Sequence, residues 1–263
     1  MAIAALSLST ACAEASSPAA QTNPADPPAQ QKAVAPPAHP KFKSTKLMGE
    51  WVDPHTGLNV NNDMWNCPQR ACGRQEVWAN SSSDWGVVST MAKGNTEVLV
   101  YPAVQELFGA NNQPAPLAHA RELVSTFRES MPTTAGTIGE AAYDIWLNNW
   151  NTEVMIWVDN QHQRFYRPVV ATAKFNGQTF TVYRAPGTSH GYPSGPVFFV
   201  LNHNETSGTV DILAVFRWLQ QSGFLSAGAT LDAVDFGWEI CSTNGVPEYF
   251  SVSHYTLSVK GII

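Results

Sequence analysis

Two glutamates, Glu153 and Glu239, each lie in a short β-type run that sets an acid among aromatic and small residues. In Glu153-Val154-Met155-Ile156-Trp157-Val158-Asp159, strand alternation puts Glu153, Met155 and Trp157 on one face and Val154, Ile156 and Val158 on the other. The second face is wholly apolar and reads as core. In Phe236-Gly237-Trp238-Glu239-Ile240-Cys241 the same rule turns Phe236, Trp238 and Ile240 inward and leaves Gly237, Glu239 and Cys241 opposite. Two carboxylates on facing strands, in a chain rich in aromatics, suggest glycosidic bond cleavage. One attacks or stabilises the anomeric carbon while the other, protonated, assists the leaving oxygen.

Other chemistry is poorly supported. Gly187-Thr188-Ser189-His190-Gly191 matches the Gly-x-Ser-x-Gly pattern, but a nucleophile elbow must join a strand to a helix. Pro186 precedes this motif and Tyr192-Pro193-Ser194-Gly195-Pro196 follows, which is loop chemistry. His162, His190 and His203 have no paired metal spacing and read as loop histidines, and no Gly-rich phosphate loop is present. No cofactor and no metal are expected. Cys67 and Cys72 flank a short Pro-Gln-Arg-Ala loop and are expected to form a disulfide in an oxidising compartment. Cys241 is left over and reads as a small buried thiol.

The elements that must position the two acids are strands. Charged residues make up 14% of the 263, against roughly 25% in average proteins. A net charge of −6 gives no basic footprint for nucleic acid or an anionic membrane. Nine tryptophans fit a neutral polysaccharide partner, with about half expected to fill a β core. Runs at 76–78, 85–90, 96–101, 142–147, 178–183, 197–201 and 249–257 read as strands, with turns at Asn176-Gly177 and Asn244-Gly245. The reading is all-β, a sandwich of two sheets. One segment, 209–222, carries a helical stripe of Ile212, Val215, Phe216 and Leu219, with Thr209 as its cap and Gly223 as its stop. This helix should pack on the back of a sheet. Residues 119–129 fit helix or strand.

Residues 1–13 form a short apolar run closed by small residues, similar to a secretory signal without its positive start. Two processing routes stay open: a lipid anchor at Cys12, or cleavage after Ala13. No segment is long enough to span a bilayer. Residues 14–42 are rich in Pro, Ala and Gln and read as a disordered linker, leaving 43–263 as one domain. A secreted or envelope-associated monomer is expected.

At Ala142-Tyr-Asp-Ile-Trp-Leu147, Glu153-Val-Met-Ile-Trp157 and Phe236-Gly-Trp-Glu-Ile240 the chain resembles glycoside hydrolase family 12, the compact endoglucanases also called cellulase family H. Val100-Tyr-Pro-Ala103, Asn176–Tyr183 and Ser207–Asp211 support the match. The resemblance implies a β-jelly roll of two curved antiparallel sheets with an open cleft on the concave face, acting on β-glucan with retention. It makes Glu153 the nucleophile, Glu239 the general acid/base and Asp144 the carboxylate that supports the nucleophile. Trp65 and Asn62 match the family's sugar platform, with Asp63 where a second Asn is usual, and Trp157 and Met155 are candidate substrate contacts.

Overall fold

The structure, a computed structural model, describes residues 35–67, 72–109, 114–164, 167–184 and 196–262. The apolar N-terminal run with Cys12, most of the Pro/Ala/Gln-rich stretch and the Gly187–Gly191 motif lie outside the described residues. In chain order the first strands are β1 (Phe42–Ser44), β2 (Glu50–Val52), β3 (Asn59–Asn61), β4 (Arg74–Ser81), β5 (Asp84–Thr90), β6 (Ala103–Leu107), β7 (Ala115–Pro116) and β8 (Glu122–Ser130). They are followed by β9 (Thr137–Leu147), β10 (Thr152–Gln161), β11 (Val169–Phe175), β12 (Gln178–Arg184), β13 (Val197–Leu201) and β14 (Ser207–Asp211). The helix α1 (Ile212–Gln221) then leads to β15 (Thr230–Thr243) and β16 (Glu248–Lys260).

One sheet has the order β1-β4-β5-β16-β8-β14, and the other runs β11-β12-β13-β10-β9-β15-β6-β3-β2 with β7 beside β15. They stack as a β-jelly-roll sandwich. Alternation decides what fills it: Tyr143, Ile145 and Leu147 of β9, Val154, Ile156 and Val158 of β10, and Phe236, Trp238 and Ile240 of β15 all enter the core. Trp85 of β5 meets Trp238 of β15 with ring centroids 5.0 Å apart, one aromatic from each sheet.

Four details differ from the expected pattern. The sheets are antiparallel except for β10 and β13, which pair in parallel. The β11–β12 hairpin between them supplies the long connection a parallel pair requires. Residues 96–101 are no strand, and only Val100 bridges Ile240. Asn66 draws off their carbonyls, its Nδ2 donating to Val98 O at 2.7 Å and its backbone N–H to Leu99 O at 3.2 Å. The ambiguous 119–129 region resolves into a single 3₁₀ turn at Leu117–His119 and then β8. The helix keeps its stripe, since Ile212, Val215, Phe216 and Leu219 are buried, but its cap is Asp211, whose Oδ1 accepts from the Ala214 N–H at 2.9 Å. Thr209 belongs to β14, where ladder pairing with Thr126 holds it.

Candidate active site

The site is built on the face of the second sheet that turns away from the core, with β9 as its axis. On one side β10 sets Glu153 opposite Trp146, Met155 opposite Asp144 and Trp157 opposite Ala142. On the other, β15 sets Asp235 opposite Asp144, Gly237 opposite Ala142 and Glu239 opposite Glu140. The two glutamates, expected on facing strands, lie on two strands of one sheet with β9 between them. Their levels on β9, Trp146 and Glu140, are also six positions apart. In a flat sheet that offset is roughly 20 Å along the strands and roughly 10 Å across them. The charge of Glu239 nevertheless acts on Glu153 across β9.

Met155 and Trp157 pack with Ala142 and Phe198 in an apolar cluster separate from the core, 2% and 3% exposed. Tyr183 and Val200 pack against the same cluster and help to cover them. They form a floor and offer a ligand little surface. Backbones crowd under Glu239. A Cβ on Gly139 would lie 2.5 Å from the Glu239 carbonyl oxygen, and one on Gly237 only 2.0 Å from that of Pro102. Glycine is required at both positions for β9, β15 and the Pro102 segment to approach, which fixes where the Glu239 side chain starts.

The electrostatics are those of a crowded acid cluster. Burial, and then the charge of Glu239, push the Glu153 carboxyl up to about 8. Asp144 is held well above the usual carboxylate range by burial, then by Glu153, Asp235 and Glu239. Its Oδ2 accepts from the Trp146 indole N–H at 3.0 Å, while Oδ1 has no hydrogen-bond partner among the described residues. Asp235 accepts from Gln105 at 3.0 Å, yet burial and the nearby Asp63 raise it to about 8. Asp63 itself rises to about 6 through burial. Glu140 is fully buried and is raised well above the usual range by burial and by the charge and hydrogen bond of Glu239. Burial and the neighbouring acids thus favour the protonated form at Glu140 and Asp144 and make Glu153 resist ionisation. A set of acids that resists full ionisation can keep a proton for a general acid beside a nucleophile.

No family model and no curated protein matches the sequence. Solved structures do match. The xyloglucanase domain of NopAA, a type three effector from Sinorhizobium fredii, is 23% identical with a TM-score of 0.72, covering 84% of this chain and all of that one. The family 12 xyloglucanase from Bacillus licheniformis is 21% identical with a TM-score of 0.73, covering 83% of this chain and all of that one. Endoglucanase 3 of family 12 from Trichoderma harzianum is 20% identical with a TM-score of 0.71, covering 83% and 97%. The fold is that of the family 12 glycoside hydrolases.

Within the family 12 fold the other expected site residues fall differently. Trp65 is 42% exposed, and its backbone N–H bonds the Asp63 carboxylate, which places it on the surface beside the acid cluster. Asn62, expected at the sugar platform, is instead buried, with both ends of its amide engaged. Its Nδ2 donates to Lys46 O at 2.8 Å and its Oδ1 accepts from Gln75 at 3.1 Å. Alternation along this segment turns Asn62 inward and Asp63 and Trp65 outward. Cys67 and Cys72 form the expected disulfide. Cys241 is a free, buried thiol on the Glu239 face, pushed up to about 12 by burial, with Sγ donating to Gln163 Oε1 at 3.0 Å.

Three residues escaped the sequence reading. Glu140 sits on the outward face of β9, where its own alternation with Ala142 and Asp144 was the available signal. Asp235 offered the same signal two positions before Gly237. Trp150, 43% exposed, lies tilted against Trp146 with ring centroids 5.9 Å apart, beside the Glu153 level. It ends a run of three positive-φ residues, Asn148, Asn149 and Trp150, which no strand pattern foretells. Beyond the Glu140 end of β9 opens a cavity of about 690 Å³, lined by Asn160, His162, Gln163 and Arg164 among others. Among the described residues no group of His, Cys, Asp and Glu is arranged to hold a metal.

Proposed function

We propose that the protein is an endo-acting, retaining β-1,4-glucanase that hydrolyses internal bonds of cellulose-like or related β-glucans. The observation that supports this reading is the outward face of one sheet, where Glu153 and Glu239 flank the β9 strand that carries Asp144 and the charge of Glu239 raises Glu153. Glu153 attacks the anomeric carbon as Glu239 delivers its proton to the glycosidic oxygen. A glycosyl ester forms on Glu153 and the leaving sugar departs as an alcohol. The ester removes the Glu153 charge, so Glu239, now ionised, takes a proton from water, which displaces the sugar and restores both groups. Protonated Asp144 supports Glu153 by hydrogen bonding its ionised form. A binding module on the same fold is the rival reading, but stacking a sugar has no use for so many desolvated carboxyls beside one another.

Two of the structural neighbours described by function are xyloglucanases, so branched glucan belongs in the test beside cellulose and mixed-linkage glucan. Reducing ends should be released from at least one soluble β-glucan of that panel, and a panel with none released would sink the enzyme reading. NMR of the first-formed anomer should show β product from a β substrate; early α product would refute retention. The disulfide supports an extracellular or envelope location, where oxidising conditions preserve such bonds.

Trp65 is proposed as a sugar-stacking platform. Trp65→Ala should weaken glucan binding roughly two- to tenfold, the equivalent of about 0.5–1.5 kcal/mol of aromatic contact. The melting temperature should stay within a degree or two, because the ring stands on the surface. A large drop in melting temperature with unchanged affinity would return Trp65 to a packing role.

A further inference from the structure

Glu140 has no part in the scheme above, yet it is the group that faces the proton donor. Its Cα is the register partner of Glu239 across the β9–β15 ladder, and its side chain is wholly buried. Gly139 beside it lets the two backbones close up. Among the described residues no backbone N–H, amide or cation satisfies either Glu140 oxygen, and the polar group against them is the Glu239 carboxyl. A buried acid in that position is stable only when it keeps a proton and places it on its neighbour.

We propose, resting on the glycosidase reading, that Glu140 is a positioning residue for Glu239: the two carboxyls share a proton, and the pair keeps one within reach of the glycosidic oxygen. When Glu239 gives the shared proton to the leaving sugar, both carboxyls of the pair are left ionised, while the charge of Glu153 disappears into the glycosyl ester. When Glu239 then takes a proton from water, the pair shares it again, and no proton is gained or lost over the cycle. A shared proton also resists removal, since full ionisation would leave two buried charges side by side.

The groups around Glu140 support this role. From β15 it meets Glu239 and, one turn of the ladder on, the thiol of Cys241, which burial keeps protonated. From β10 its register partner is the neutral Asn160, with the carboxyl of Glu153 farther along the strand. On β9 itself Asp144 lies four positions away, and the Tyr101 hydroxyl donates to Ala142 O between them. His162 spends Nδ1 on Thr137 O, and Arg164 lines the cavity next to Asn160. No ion pair to Glu140 occurs among the described residues, so Glu239 remains its electrostatic partner.

The test is the pH profile of kcat/KM for the wild type, Glu140→Gln and Glu140→Asp on two substrates. Cellotetraose needs the general acid, whereas dinitrophenyl β-cellobioside has a leaving group that departs without one. On cellotetraose, Glu140→Gln should move the alkaline limb down by about one pH unit or more, a loss of about tenfold above that limb. Near pH 5 it should stay within about threefold of wild type. On the dinitrophenyl substrate its alkaline limb should match wild type, which also shows that the variant is folded. Glu140→Asp, which can still share a proton, should keep an alkaline limb closer to wild type than Glu140→Gln does. Identical limbs on cellotetraose, or an equal loss on both substrates at every pH, would overturn the proposal. If Glu140→Gln is inactive throughout, the Asp variant decides: a limb at the wild-type position supports proton sharing, and a uniform loss without any shift refutes it. A wild type inactive on both substrates would instead defeat the glycosidase reading.

Discussion

Glu153→Gln is expected to take hydrolysis of every glucoside below detection, because no leaving group replaces the missing nucleophile. Glu239→Ala should behave differently. On glucans it should lose roughly 10²–10⁴-fold, the usual worth of positioned acid–base catalysis. On dinitrophenyl β-cellobioside the first step should survive, since that leaving group needs little protonation, and hydrolysis of the glycosyl-enzyme should become the slow step. Azide, a nucleophile that requires no deprotonation, should then restore turnover and give a β-glycosyl azide. With Glu153→Ala the same ion should enter the vacated side directly and give the inverted α-glycosyl azide. Azide products of opposite configuration, α from Glu239→Ala and β from Glu153→Ala, would exchange the two roles. Each variant also removes a charge that its partner opposes. Glu153→Gln should therefore let Glu239 titrate at a lower pH than it does in the intact pair.

What the chain discloses in advance is set by the range over which its signals act. The faces of β9, β10 and β15 were legible because alternation is local: once Val154, Ile156 and Val158 are seen to be apolar, Glu153 must look the other way. The stripe of α1 was legible for the same reason. Its cap was misplaced by two residues because Thr209 and Asp211 are both good caps, and only the ladder between β14 and β8 decides which one is free. Register is not local. Nothing in Gly139-Glu140-Ala141 shows that Glu239 will lie opposite, and nothing in residues 153–159 shows that a strand separates the two catalytic candidates. The burial of Asn62 is hidden for a related reason: its partners Lys46 and Gln75 come from other parts of the chain. The same blindness hid a second pair of acids. Glu129 of β8 and Asp159 of β10 meet across the sandwich, with Glu129 Oε2 accepting from the Trp238 indole N–H at 3.0 Å.

That hidden chemistry predicts a protein more stable in acid than at mildly alkaline pH. Unfolded Asp and Glu release their protons near 3.8 and 4.5, whereas in the folded chain Asp63 rises to about 6 and Glu153 and Asp235 to about 8. Glu129, Glu140 and Asp144 are also raised well above the usual carboxylate range, in each case by burial first and by a neighbouring acid next. Between about pH 4.5 and 8 the native state therefore binds protons that the unfolded state has already lost. Stability must fall as pH rises through that window, by about 1.4 kcal/mol per pH unit for each proton so held. Asp53 and Glu122 are shifted down and act in the opposite sense, but only below the window. For a domain of this size about 1 kcal/mol moves the melting temperature by roughly 2–4 °C, so two or three retained protons should separate pH 5 from pH 8 by ten degrees or more. Glu129→Gln identifies the source outside the catalytic face. It removes one buried acid, keeps an acceptor for the Trp238 indole, and lets Asp159 ionise without a charged neighbour. Its melting temperature should fall less steeply with pH than that of the wild type. Calorimetry across pH 5 to 8 that showed a flat or rising melting temperature would mean that these carboxyls are ionised in the native state, and the proton inventory assigned to the active site would fail with it.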